Sequence, residues 1–454
     1  MLIEFRIKNF RSFCDTSRLS MVATTDKDLR DTHTISSVAF KHRLVRSAII
    51  YGANASGKSN LIMALGFMQL FMLTAATSSP TAGQRAIENP LFQPFLLNAA
   101  SRQAPTTFEF VFLQQNVRYE YGICLDRQQI YEEWLIAFPK GQPQTWFERR
   151  RNQAETEATA DRYTWYFGPR LGGEKQRLAD ITRADVPFLA VAATFGHTQL
   201  QTVFEWFTNR LAVLNPSGRP DLFSETARHA AEDHRLQSLL RTLLANADLA
   251  INDFSVRIVS GIEDPLLARL PTEVQTMLTA GGFYRTEVRM RHQAPEIPEG
   301  YVEIPSDDES LGTQRFFGIA GPIMHALLHG QVLAVDEIDD SLHPLLVRRL
   351  IELFHNPETN PHAAQLIMNT HDATLLDTQL FRRDQIWFTE KDHRGGTQLY
   401  PLSDYRPRKG EALSKGYLHG RYGGVPILSH FGNQMRQLQE TPATFEPSGK
   451  PAEQ

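Results

Sequence analysis

The chain has 454 residues, 42% of them apolar, enough to bury a large core; its two cysteines, Cys14 and Cys124, are too few for a disulfide framework. A net charge of −4 with both signs mixed along the chain lacks the positive balance of a dedicated nucleic-acid binder, so any contact with DNA or RNA is expected to be local. No leader pattern opens the sequence, and the most apolar stretch, about fifteen residues from Ile62 to Ala76 that include Gln69, falls short of the roughly twenty a bilayer span needs, so a cytoplasmic protein without a membrane segment is expected.

Residues Leu2 to Phe10 alternate apolar and polar side chains, the period of a half-buried strand, and Val45 to Tyr51 reads as a second, more buried one. A glycine-bearing turn and an apolar helix from Asn60 follow directly. From Thr106 to Phe138 the alternation returns, with Gln115-Asn116 as a turn, which predicts an antiparallel meander. Arg149 to Gly173 is polar and irregular. Between Phe188 and Leu249 the spacing becomes helical, as in Leu236, Leu239, Leu240, Leu243 and Leu244, so an inserted, mostly helical region is expected. Strand patterning resumes at Phe283 to Met290, and a helix carrying Phe316, Ile319, Ile323 and Leu327 leads into the strand Val332 to Val335. The polar, proline-bearing end predicts a disordered tail. These patterns divide the chain at 1–140, 141–294, 295–433 and 434–454. No repeat of 20 to 50 residues and no sustained heptad is present, so long coiled-coil arms are not expected.

Gly52-Ala53-Asn54-Ala55-Ser56-Gly57-Lys58-Ser59 matches G-x-x-x-x-G-K-[ST] at every fixed position, between a predicted strand and a predicted helix. Its glycines let backbone N–H groups close on phosphates, and the helix that follows points its positive end at them. Lys58 would reach the outer phosphates, and the Ser59 hydroxyl would ligate Mg²⁺. The apolar run Val332 to Val335 ends in Asp336-Glu337. An acid at the tip of a buried strand beside a phosphate loop is where Mg²⁺ is held, which assigns the metal side to Asp336 and leaves Glu337 to polarise water. Between these two lies Glu309-Ser310-Leu311-Gly312-Thr313-Gln314-Arg315, a second anion cradle at a helix N-terminus.

In that order, with the cradle some twenty residues before the acidic strand, the chain resembles the ABC ATPase superfamily. Ser310 and Gly312 match the signature's serine and second glycine, while Leu311 replaces its first glycine and Thr313 stands where the family has glutamine. Asp339-Asp340-Ser341-Leu342-His343-Pro344 occupies the D-loop slot. Asn369-Thr370-His371, ending the apolar strand Gln365 to Met368, matches the family's switch histidine, and Gln93 is the candidate for its Q-loop glutamine. The resemblance implies an α/β P-loop ATPase head of two lobes: a mixed-sheet core with an antiparallel β subdomain, and a helical lobe carrying the signature. It also implies ATP and Mg²⁺ as ligands, with Gly52, Asn54, Gly57, Lys58, Ser59 and Asn60 of one copy and Ser310 and Gly312 of another closing on the nucleotide. A homodimer or higher homo-oligomer follows. The interval of roughly 250 residues between loop and signature does not suit a transporter subunit.

Three further phrases narrow the resemblance. Tyr51 to Leu61, the opening Asn9-Phe10-Arg11-Ser12-Phe13, and Lys415-Gly416-Tyr417-Leu418-His419-Gly420-Arg421-Tyr422-Gly423-Gly424-Val425-Pro426 are similar to bacterial abortive-infection ATPases of the AbiLi or RloA type, relatives of the ATPase halves of OLD nucleases. Only about 80 residues follow His371, without an acidic constellation of nuclease spacing, so a separately encoded effector, a toprim-like nuclease, is expected rather than a nuclease in this chain. The trigger would be DNA or another phage-derived molecule. The alternative is a RecF- or SMC-like DNA clamp for repair or recombination, with phosphate contacts from Arg149, Arg150 and Arg151, or from Arg406, Arg408, Lys409, Lys415 and Arg421.

Overall fold

The computed structural model describes residues 1–75, 90–152, 162–214, 222–247, 250–260, 284–408 and 410–426. The expected disordered tail, Phe283 and Lys409 lie outside these. The strand Ser47–Gly52 sits inside a six-stranded sheet in the order Leu211–Leu214, Val332–Val335, Gln365–Asn369, Ser47–Gly52, Ile386–Lys391, Thr397–Pro401. The first five strands are parallel and the last is antiparallel. Side chains alternate between the two faces. Ala48, Ile50, Ala334, Ile367 and Trp387 enter one core; Ile49, Tyr51, Val335, Met368 and Phe388 enter another. A sheet covered on both faces explains why these strands read as unbroken apolar runs.

The helix Lys58–Ala75 covers the first face, and its far side meets a second sheet. That sheet has seven antiparallel strands in the order Tyr163–Phe167, Gln144–Arg151, Ile130–Phe138, Val117–Leu125, Thr106–Gln114, Leu2–Lys8, Ser17–Ser20. Phe67 of the helix has its ring centroid 5.4 Å from Phe108 and 6.1 Å from Phe10. A helix packed between two sheets buries most of its circumference, which accounts for its largely apolar character, with Leu70, Leu73 and Thr74 left exposed near its end. By length and composition it could cross a membrane, but most of its apolar window is buried in this core. The two sheets are also tied by buried Gln365. Its Oε1 accepts from the Leu2 N–H at 2.6 Å, and its Nε2 donates to the carbonyls of Leu2 and Val45, both at 3.1 Å.

Strand and helix share the interval read as an inserted helical region. Gln144–Arg151 and Tyr163–Phe167 extend the antiparallel sheet, Leu211–Leu214 joins the parallel sheet as an edge, and Ile251–Ser260, Tyr284–Gln293 and Tyr301–Pro305 form a three-stranded sheet. The helices Lys175–Ile181, Phe188–Thr194, Thr198–Glu205, Leu222–Glu232 and His234–Ala245 carry the rest. The arginine run at 149–151 hides the strand signal, because one of its members points inward. Arg149 is fully buried against fully buried Glu133, 3.7 Å away, and its guanidinium donates to the carbonyls of Val186 at 3.0 Å and Arg183 at 2.8 Å. Glu133 in turn accepts the N–H groups of Phe188 at 2.7 Å and Leu189 at 3.0 Å, at the start of a helix where a negative charge is favoured. Arg149 is therefore a core residue and is withdrawn as a nucleic-acid contact; Arg150 and Arg151 stay exposed.

The second face of the parallel sheet is covered by Pro344–His355 and by Leu311–His329, the helix opened by Ser310. Pro322 interrupts that helix and cannot bond the Gly318 carbonyl one turn back. Thr226, from the neighbouring helix Leu222–Glu232, supplies the missing donor: its hydroxyl meets the Gly318 oxygen at 2.8 Å. Gly321 makes room, since a side chain there would put its Cβ 2.3 Å from that hydroxyl. Thr226→Val keeps the shape and removes the donor. It should destabilise the fold by about 1–3 kcal/mol in denaturant titration, the cost of a stranded buried acceptor, whereas a variant of wild-type stability would show that the carbonyl is satisfied otherwise.

Candidate nucleotide site

At the C-terminal ends of the parallel strands, where open α/β sheets bind ligands, lies a cavity of about 710 Å³. The loop from Asn54 to Asn60 forms one wall, and Ser12, Glu337, His371 and Lys391 form the others. The loop folds as its sequence requires. Gly57 has φ +115°, and a Cβ there would stand 2.3 Å from the Thr397 hydroxyl, so this glycine serves both conformation and close approach. Lys58 donates to the Gly52 carbonyl at 2.7 Å and the Ala53 carbonyl at 3.1 Å. Burial pushes its ammonium down to about 8, against the opposing pull of Glu337, Asp336 and Asp339. A desolvated cation among carboxylates suits binding of a polyphosphate with its cation.

Beneath the loop, Ser56 Oγ lies 2.6 Å from Thr389 Oγ1, and Thr397 Oγ1 lies 2.6 Å from the Ser56 carbonyl and 2.8 Å from Ser12 Oγ. Asn60 donates to Ser12 Oγ at 2.7 Å. Ser12 reaches this place through the turn after the first strand. Asn9 and Arg11 take left-handed backbone angles, Phe10 and Phe13 enter the core, and Asn9 is held by the Ala104 carbonyl at 2.7 Å. The opening phrase Asn9 to Phe13 thus has a structural reading that the residue pattern alone did not supply.

On the acidic side, Gln365–Asn369 lies between the loop strand and Val332–Val335, so Asn369 faces both carboxylates. Its Nδ2 donates to buried Asp336, and its Oδ1 accepts the Glu337 N–H at 2.6 Å. Glu337 sits at φ +52°, a left-handed conformation that costs a side-chain-bearing residue about 1–2 kcal/mol and that the Asn369 bond holds in place. The His371 N–H donates to Asp339 at 3.2 Å, and burial together with Lys58 lowers the imidazole pKa below its usual range. The second oxygen of Asp339 is buried without a hydrogen-bond partner among the described residues. The Ser59 hydroxyl and the Asp336 carboxylate, the latter held by Asn369, are oxygen donors of the kind Mg²⁺ takes, one or two from protein with phosphate oxygens and water completing its shell.

The structure brings Gly52, Asn54, Gly57, Lys58, Ser59, Asn60, Asp336, Glu337 and His371 into one region and leaves Ser310 and Gly312 outside the cavity. Ser310 caps its helix, accepting the Thr313 N–H at 3.1 Å, on the protein surface beside Leu311, whose side chain is 78% exposed. Gly312 lies against the Ser341 carbonyl, so the helix start and the 339–342 loop share that surface. Gln93 lines a different cavity, with Arg102 and Arg127. Ser12, Asn369, Thr389, Lys391 and Thr397 were not assigned roles from sequence. Asn369 carried a signal as the polar end of an apolar strand, and Ser12 as part of the opening phrase.

A family model described as "AAA domain, putative AbiEii toxin, Type IV TA system" matches residues 47–377. No curated protein matches the chain. Among solved structures, the SMC head domain from Thermotoga maritima is similar at 14% identity, covering 88% of this chain and 98% of its own, with a TM-score of 0.40. An Smc head domain with an extended coiled coil, bound to the C-terminal domain of ScpA, from Pyrococcus furiosus, is similar at 11% identity, covering 89% and 99%, with a TM-score of 0.35.

Lys58→Ala removes the only lysine on the phosphate loop. The variant should lose ATP binding in equilibrium titration while melting as the wild type does; native affinity would show that the loop does not take the phosphates.

Proposed function

The chain belongs to the AAA-domain family matched over residues 47–377, and from that premise we propose that it binds and hydrolyses ATP between two copies of itself. The observation that carries this reading is the split of its motifs. Phosphate loop, acidic strand and His371 converge on one cavity, while the Ser310 helix start faces solvent elsewhere on the surface. A phosphate held only by the loop would leave the outer side of the nucleotide open. The exposed N-terminus of Leu311–His329, with the positive end of its helix dipole and the Ser310 hydroxyl, is suited to close that side on a second copy.

In this reading the backbone of Gly52 to Gly57 and the Lys58 ammonium hold the phosphates. Ser59 and Asp336 would hold Mg²⁺, which would screen phosphate charge. Glu337, fixed by Asn369, orients and deprotonates the attacking water, and the His371 imidazole contacts the outer phosphate. ATP then stabilises the assembled state because it binds that state better than the separate chains, and hydrolysis releases it. We place the protein in the cytoplasm as the ATP-dependent scaffold of an abortive-infection defence that controls a separately encoded, toprim-like nuclease. The family's toxin–antitoxin description and the sequence resemblance support that step. The division at residues 140, 294 and 433 belongs to the same proposal. The DNA-clamp alternative loses Arg149 to the core and keeps Arg406, Arg408, Lys415 and Arg421 on the surface, the last paired with Glu411.

Subunit mixing tests the composite site. Lys58→Ala and Ser310→Arg chains, each inactive alone, should recover ATP hydrolysis when mixed, because one site of the hybrid combines an intact loop with an intact helix start. Mixed assembly without recovery would place both halves of the site within one chain.

A further inference from the structure

The C-terminal phrase Lys415 to Pro426 has no part in the chemistry proposed above, yet it packs directly behind the phosphate loop. The Tyr417 ring centroid lies 5.5 Å from that of Tyr51, the residue before Gly52, and 5.6 Å from Phe388 on the adjacent strand. Its hydroxyl donates to the Gly424 carbonyl at 3.1 Å. Gly424 in turn lies so close that a Cβ built on it would stand 3.5 Å from Gly52 Cα and 3.4 Å from the Thr389 carbonyl. Thr389 is the residue whose hydroxyl holds Ser56 from below. The phrase is anchored on its other side as well. The Tyr422 ring packs 5.9 Å from Phe388, and its hydroxyl donates to Glu411 at 2.5 Å. The Tyr400 hydroxyl meets the Tyr422 carbonyl at 3.1 Å.

The same segment reaches the opposite wall of the cavity. The helix Leu413–Leu418 packs beside the turn Ala373–Leu375, just after His371, and the Tyr51 hydroxyl donates to the Asp372 carbonyl at 3.2 Å. One element therefore touches the strand end that launches the phosphate loop and the turn that carries the histidine.

We propose that residues 411–424 form a clasp that sets the position of Gly52 relative to His371, with Tyr417 and Gly424 as positioning residues for the nucleotide site. The inference rests on the ATP reading above. It explains why the phrase pairs glycines with tyrosines. Gly424 has φ +66°, which a side chain resists, and the tyrosines supply both the ring stack and the hydroxyl that holds the turn. A misplaced loop weakens the grip on phosphates before it changes the acid–base groups, so the signature is a rise in the ATP KM with kcat retained.

Two substitutions at one position isolate the contact. Gly424→Ala carries the left-handed strain, but its Cβ fits at ordinary contact distance; Gly424→Val adds the further strain of a β-branch and presses extra methyl groups toward Gly52. ATP affinity and steady-state turnover are measured for both, with circular dichroism to establish folding. Gly424→Val should raise the KM and Kd for ATP at least about tenfold above Gly424→Ala, with kcat within about threefold of wild type, since the loss of one hydrogen bond to a charged phosphate is worth about tenfold or more in affinity. Tyr417→Phe, which keeps the ring and loses the anchor to Gly424, should raise KM by about two- to tenfold, the scale of one hydrogen bond. Equal KM values for folded Ala and Val variants, or a fall in kcat at unchanged KM, would overturn the clasp. If Gly424→Val does not fold, Tyr417→Phe decides, and a native KM there overturns it. Wild-type chain that binds no ATP would sink the nucleotide reading and the clasp together, whereas native wild-type binding with unaffected variants sinks the clasp alone.

Discussion

Everything in this protein is arranged around one constraint: the strand Ser47–Gly52 must be apolar on both faces yet deliver a polar loop at its end. Burial on both sides demands two further layers, and the chain supplies them as the helix Lys58–Ala75 backed by the antiparallel sheet, and as Leu311–His329 with Pro344–His355. Parallel neighbours on either side then place their own C-terminal ends beside the loop. Asn369 comes from one neighbour and Thr389 and Lys391 from the other. The site is thus a consequence of strand order, with little contributed by long loops.

Asn369 shows how closely the two sides are coupled. A single amide holds the carboxylate read as the metal ligand and the backbone of the glutamate read as the base, and it does so from the strand that also carries His371. The left-handed backbone at Glu337 is a local cost that such a bond can sustain. Movement of the Gln365–Asn369 strand end would therefore reach Asp336, Glu337 and His371 together. Gln365, at the other end of the same strand, is bonded to Leu2 and Val45 and resists that movement.

Much of this was legible in the sequence, for physical reasons. The phosphate loop, the acidic strand and the histidine each combine an apolar run with a polar end, a pattern that buried parallel strands impose. Side chains that act by reaching across the fold were not legible. Ser12 and Thr397 are unremarkable residues until the turn at Asn9 to Phe13 and the final hairpin meet under Gly57. Nor was Arg149 distinguishable from Arg150 and Arg151, because the partners that make its burial tolerable, Glu133 and the Val186 and Arg183 carbonyls, come from elsewhere in the chain. Within residues 141–294 only Phe283 to Met290 was read as strand: charged residues interrupt the alternation of Gln144–Arg151 and Ile251–Ser260, and Leu211–Leu214 is a four-residue apolar run that helical spacing accommodates equally well.

The central claim is that ATP joins two copies and that Glu337 releases them. The most direct test follows oligomer size and ATP turnover on one preparation of Glu337→Gln, which keeps the shape of the side chain and removes the base. Turnover should fall by roughly a hundredfold or more, the scale of losing a positioned general base, while ATP with Mg²⁺ drives the chain into a dimer or larger assembly that outlives the wild-type one. A Glu337→Gln chain that hydrolyses ATP at the native rate, or that stays monomeric with ATP bound, would contradict the account.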